Sequence, residues 1–85
     1  MLDETLTRAK QKMIGLKQTQ RALEREHERI QSVYIAVDAE AHVLRPVISL
    51  CQTHHIRIIR VPTMRELGQA CGIEVGAATV AILKE

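Results

Sequence analysis

Lys17, Gln18 and Arg21 stand close behind a glycine in the run Gly15-Leu16-Lys17-Gln18-Thr19-Gln20-Arg21. Their types suit the chemistry of a polyanion. Lysine and arginine donate to phosphate oxygens and to guanine O6 and N7, and glutamine matches adenine N6 and N7. On a helix turning by about 100° per residue, Lys17, Arg21, Arg25 and Gln18 share an arc of roughly 100°, while Thr19, Leu23 and Leu16 lie opposite. Gly15 leaves unpaired N–H groups and the positive end of the helix dipole beside Lys17. The arc is therefore suited to phosphates and purine edges. A helix whose polar face simply meets water has the same pattern.

A second candidate is Gly72-Ile73-Glu74-Val75-Gly76, which sets two apolar β-branched residues between glycines. In a loop, Ile73 and Val75 would offer exposed apolar surface for contact. The alternative is that both tuck into the core. The segment lacks the Lys-Ser/Thr ending of a phosphate-cradling P-loop.

Catalytic and metal chemistry finds less support. Cys51 lies on an apolar helical face and Cys71 ends one, so both read as buried, inert thiols. His54 and His55 are adjacent and would diverge on a helix. His27 and His42 lie in other segments, and no H-x-x-x-H or C-x-x-C spacing occurs. Asp38 follows a strand and reads as a loop-starting aspartate. No enzyme, cofactor or metal is expected.

The elements that must position these residues alternate along the chain. Residues 3–12 read as a short amphipathic helix, with Asp3 and Glu4 at its start and Lys10 and Lys12 at its end, as the helix dipole favours. A second helix is expected over residues 16–28 and a fully buried strand over 32–37. Val43, Leu44, Val47, Ile48 and Cys51 mark a helix lying on a core, with Pro46 expected in its first turn. A strand follows over 56–61. Thr63 and Glu66 have capping-box spacing, opening a helix that Gly72 stops after Cys71. The last strand is expected over 78–83. Alternating strands and helices imply a three-layer α/β/α sandwich.

Length and composition bound the rest. A chain of 85 residues is one domain's worth. The sequence is 46% hydrophobic and 26% charged, which excludes wholesale disorder. Tyr34 is the single Phe, Trp or Tyr, which speaks against folds that stack bases on exposed rings. A net charge of +2 is too small for a whole-molecule basic field, so polyanion binding needs a local patch. The sequence shows no signal-peptide pattern, and its longest apolar stretch falls far short of a membrane span. A soluble, cytoplasmic chain with reduced thiols is expected, with no membrane partner.

Several stretches together resemble a known family. They are Gly15-Leu16-Lys17-Gln18-Thr19, Leu44-Arg45-Pro46, Val61-Pro62-Thr63, Glu66-Leu67-Gly68 and the run Cys71-Gly72-Ile73-Glu74-Val75-Gly76-Ala77-Ala78. The chain resembles the ribosomal-protein superfamily that binds kink-turn RNA, of the archaeal seven-Ae and eukaryotic thirty-e types, most of all the YbxF-like bacterial group. The resemblance spans about residues 14–83. It implies a four-stranded mixed sheet whose fourth strand is short and lies near Met13 and Ile14. It also implies binding of RNA bent beside tandem sheared G·A pairs. A non-catalytic monomer is expected, with ribosomal RNA, a riboswitch-like RNA or another structured RNA as ligand and the ribosome as a candidate partner.

In that family the helix after the glycine carries Asn, Glu and Lys against the G·A pairs. The matching positions here are Lys17, Gln18 and Arg21, and Gln18 replaces an acceptor-only group by an amide. The family's loop before the last strand, here Ile73, Glu74 and Val75, covers a flipped-out nucleotide. The chain departs from the family in residues 25–31, expected to lengthen or fray the second helix. It also lacks a proline that many relatives carry after the first main strand. A protein-interaction module on the same fold without RNA affinity is the alternative reading.

Overall fold

The computed structural model describes residues 4–85. Asp3, expected to open the first helix, lies outside the described residues. The elements in chain order are α1 (Glu4–Arg8), β1 (Lys12–Ile14), α2 (Leu16–Arg25), a 3-10 turn (His27–Arg29), β2 (Ile30–Ala36), α3 (Ala41–Thr53), β3 (Arg57–Val61), α4 (Met64–Ala70) and β4 (Thr79–Leu83).

The sheet runs β1-β4-β2-β3. β2 and β3 are parallel, while β4 is antiparallel to both β1 and β2, so the sheet is mixed. Side chains on successive strand residues point to opposite faces, and the core accordingly divides in two. Val33, Ile35, Ala81 and Leu83 pack with Ala22 and Leu23 of α2 and Leu44, Val47 and Cys51 of α3. Tyr34, Ala36, Val61, Val80 and Ile82 pack with Leu6 of α1 and Leu67 of α4. Helices thus cover both faces, giving the expected three-layer α/β/α sandwich with four strands.

Local expectations fail where tertiary pairing overrides them. The first helix ends at Arg8, and Lys12, Met13 and Ile14 pair with Ile82, Ala81 and Val80. The apolar spacing that suggested a helix through residue 12 is thus split between a helix and an edge strand. The second helix ends at Arg25, where Glu26 takes φ −145° and a 3-10 turn follows. Ile30 then enters the sheet opposite Leu83 and is buried, which requires the chain to leave the helix. The residues 25–31 therefore shorten the helix rather than extend it. β2 begins two residues before the expected strand and releases Val37 into an exposed turn.

α3 starts at Ala41, so Pro46 sits in its second turn, not its first. Its ring removes the N–H that would reach the His42 carbonyl. Both residues are exposed, so water can serve that carbonyl. His54 and His55 lie past the end of α3 instead of on it, His55 with φ +57°. The His54 ring stacks on His27 with centroids 3.8 Å apart and planes 9° from parallel.

Cys51 is fully buried, and burial pushes its thiol up to about 11 from an ordinary 9.0. The folded state therefore keeps the proton at a pH where the unfolded chain loses it. This contribution is complete below pH 9.0 and is lost as pH rises toward about 11. Cys51→Ala is expected to flatten the alkaline fall in stability by at most about 1.4 kcal/mol per pH unit across that window. Denaturant midpoints measured against pH for parent and variant would show it, and parallel curves would contradict it.

Candidate nucleic-acid interface

One end of the sheet brings together the start of α2 and the loop before β4. β1, β2 and β3 end there and β4 begins there, because Ile14 pairs with Val80 and Ala36 with Val61. The Gly15 N–H donates to the Thr79 carbonyl at 2.9 Å. Gly15 therefore sits beside the residue into which the 71–78 loop runs. The start of α2 and the loop before β4 flank the same point of the sheet.

Gly15 has φ +105° and ψ 162°, a conformation that L residues other than glycine rarely adopt. Its carbonyl accepts from the Thr19 N–H at 3.0 Å, which closes the first turn of α2. No side chain caps this helix, and its first turn holds no acidic residue. The amides of Leu16, Lys17 and Gln18 therefore face outward from the positive end of the dipole. Thr19 is fully buried and donates its hydroxyl to the Met13 carbonyl at 3.2 Å, tying α2 to β1. Leu23 is also fully buried. These anchors turn Lys17, Gln18 and Arg21 outward, and all three are exposed. Among the described residues neither Lys17 nor Arg21 is held in an ion pair. A shallow cleft of about 280 Å3 runs along this side of α2, lined by Met13, Gln18, Arg21, Ala22, Arg25 and Glu26.

α4 has the expected cap. The Thr63 hydroxyl oxygen accepts from the Glu66 N–H at 3.1 Å and donates to the Glu66 carboxylate at 3.1 Å. The carboxylate thus returns to the hydroxyl. Past Ala70 the chain turns at Gly72, φ +76°. Gly72 N–H donates to the Gln69 carbonyl at 3.0 Å and Ile73 N–H to the Gly68 carbonyl at 3.1 Å, a Schellman ending.

Ile73 and Val75 then part company. Ile73 is half-buried against the cluster containing Leu67 and Ala77. Val75 is 71% exposed, and Glu74 is exposed beside it. A Cβ at Gly68 would collide with the Val75 carbonyl. Glycine at that position lets the loop backbone lie directly on α4, and Val75 projects from it. The two readings of the loop each hold for one residue.

Burial raises the Cys71 thiol above its ordinary value, and the Lys12 ammonium acts against this. No group of three or more His, Cys, Asp or Glu among the described residues is placed to hold a metal. No helix among them is long and apolar enough to cross a membrane.

Two features had no signal in the sequence. The contact of His27 with His54 joins segments far apart in the chain. A cavity of about 570 Å3 lies between α3 and the β2–β3 edge, lined by Val37, Leu44, Arg45, Ile48 and Arg60 among others. Gly15, Lys17, Gln18, Arg21, Ile73, Glu74 and Val75 are not among its lining residues.

The model of the ribosomal protein L7Ae/L30e/S12e/Gadd45 family matches residues 2–85. An RNA-binding protein of Halalkalibacterium halodurans is 47% identical over 81 residues, covering 95% of this chain and 96% of that protein. The RNA-binding protein YbxF of Geobacillus stearothermophilus is 40% identical over 81 residues, with coverage of 95% and 96%. A solved structure of a protein of unknown function from Bacillus halodurans superposes with a TM-score of 0.78. It is 22% identical and the match covers 93% of this chain and 77% of that one. At that identity the likeness supports the fold alone.

Proposed function

Since the chain belongs to the ribosomal protein L7Ae/L30e/S12e/Gadd45 family and resembles RNA-binding proteins along its length, we propose that it is a single-domain, non-catalytic RNA-binding protein that recognises kink-turn RNA and stabilises its bent form. It acts in the cytoplasm as a monomer and without a cofactor. Its ligand is a structured RNA, ribosomal or riboswitch-like, and the ribosome is a further partner.

The observation that carries this reading is the start of α2. A helix N-terminus ordinarily takes a side-chain cap or an early acidic residue, because the orphan amides and the dipole favour negative charge. Here neither is present and Lys17 adds positive charge. Local rules broken in this way are expected where the compensating group belongs to a ligand. A phosphate backbone supplies that charge.

The chemistry then follows from the residues. Lys17 is a point charge for phosphate, and Arg21 presents a planar fork to paired acceptors. Gln18 offers both a donor and an acceptor to a base edge. Val75 covers an unstacked base with apolar surface, supported by Ile73, and Glu74 sits at the rim of that contact. None of these groups reacts. The protein lowers the free energy of the bent RNA relative to the extended one, shifting the population by its differential affinity for the two.

The decisive experiment is a calorimetric titration of two RNAs at several salt concentrations. One contains a kink-turn, and the other has its sheared G·A pairs replaced by Watson–Crick pairs. The expected result is preference for the kink-turn, with affinity falling steeply as salt rises. Equal affinities reject recognition of the bend. No binding to either RNA favours the protein-interaction module, for which exposed Val75 would serve as an apolar contact.

A further inference from the structure

Asp38 has no place in the interface described above, yet it reaches the same structure from the other side of the sheet end. It lies in the turn after β2, and its carboxylate Oδ1 accepts from the Met64 N–H at 2.8 Å. Met64 is the first residue of α4. Its amide is one of those a helix leaves unpaired, and a carboxylate there is favoured by both charge and hydrogen bonding.

Met64 is also where the loop before β4 is fastened. Its carbonyl accepts from the Ala77 N–H at 3.0 Å. A Cβ at Gly76 would lie 3.1 Å from the Met64 Cβ. One turn further along α4, Gly68 accepts from the Ile73 N–H and leaves room for the Val75 carbonyl. The loop is thus fixed to α4 at both ends, with Val75 raised between them. Whatever sets the position of α4 sets the position of Val75.

We propose that Asp38 is a positioning residue for the Val75 loop, acting through the first amide of α4 and not by touching RNA. The β2 strand end is among the most buried parts of the sheet, with Ile35 2% and Ala36 0% exposed. Asp38 carries that rigid reference across to α4. Val75 is exposed and has little packing of its own to hold it at a fixed height, so its placement depends on this link. The consequence for RNA rests on the function proposed above, whereas the link itself does not.

Four variants test it: Asp38→Ala, Asp38→Asn, Val75→Ala and the Asp38→Ala/Val75→Ala double. Hydrogen exchange is measured first on the protein without RNA. Asp38→Ala is expected to speed exchange of the Ile73 and Ala77 amides about tenfold, the usual worth of a hydrogen bond to a charged group. The β2 and β4 amides should keep their protection, which shows that the fold is intact. Asp38→Asn retains an acceptor and should recover most of the protection.

Affinity for a kink-turn RNA is then measured for all four. Asp38→Ala alone should weaken binding about tenfold, and should add under twofold once Val75 is already alanine. Unchanged exchange at Ile73 and Ala77 overturns the proposal, as does a full Asp38→Ala loss in the Val75→Ala background. If the parent protein does not bind kink-turn RNA, the proposed function fails while the exchange data still decide the role of Asp38.

Discussion

Replacing Arg21 by alanine is expected to weaken kink-turn RNA binding by about 1–3 kcal/mol, or about 5- to 150-fold, the range for a good bidentate base contact. The fold should barely register the change. Arg21 is exposed and, among the described residues, makes no ion pair, and surface changes of this kind stay within about 0.5 kcal/mol of the parent stability. The salt dependence separates two roles. If Arg21 reads base edges, the loss is nearly independent of salt and Arg21→Lys shares much of it, because the planar fork is gone. If it only neutralises a phosphate, Arg21→Lys binds like the parent, and Arg21→Ala lowers the salt slope by about one charge. Titrations at three or more salt concentrations give both quantities. A loss smaller than twofold at every salt would remove Arg21 from the interface.

Gly15→Ala carries the second large effect, and it acts on stability and binding together. At φ +105° and ψ 162°, a side chain meets backbone strain even though an added Cβ would find no neighbouring atom within 4 Å. Strain of this kind costs about 1–3 kcal/mol. For a domain of this size each kcal/mol lowers the melting temperature by about 4–8 °C. Asparagine should not rescue the position, since its tolerance is for the left-handed helical region and Gly15 lies well outside that in ψ. RNA affinity should fall too, because relief of the strain moves the first turn of α2 away from Thr79. A thermal melt within about 2 °C of the parent would show that the conformation imposes no cost.

The parts of this molecule that sequence could specify are those fixed by neighbours in the chain. Thr63 and Glu66 cap α4 at a spacing of three, and Gly72 ends it with a positive φ. Both are local devices, visible as residue types at fixed intervals. The apolar, β-branched run around Val33 to Ile35 is a buried strand for the same reason. β1 is different: three residues carry too little pattern, and it is a strand because β4 lies beside it. The resemblance to a family supplied that expectation, and periodicity alone pointed to helix. The early end of α2 is likewise non-local, imposed by the pairing of Ile30 with Leu83.

The candidate site divides along the same line. The outward arc of Lys17, Gln18 and Arg21 follows from helical spacing once Thr19 and Leu23 are known to face inward. The contrast between half-buried Ile73 and exposed Val75 does not. It depends on the room left by Gly68 on another element, which no spacing within the loop encodes. The meeting of α2 with the loop needs the strand order, which places Gly15 against Thr79.

Tyr34 is fully buried in the middle of the sheet, and no other tyrosine, tryptophan or phenylalanine exists in the sequence. The molecule therefore carries one ultraviolet chromophore, enclosed in the core and remote from the outward face of α2. Its emission is a gauge of core integrity in the protein alone. Unfolding can thus be followed on the unlabelled protein, whereas capture of a ligand has to be read from the ligand.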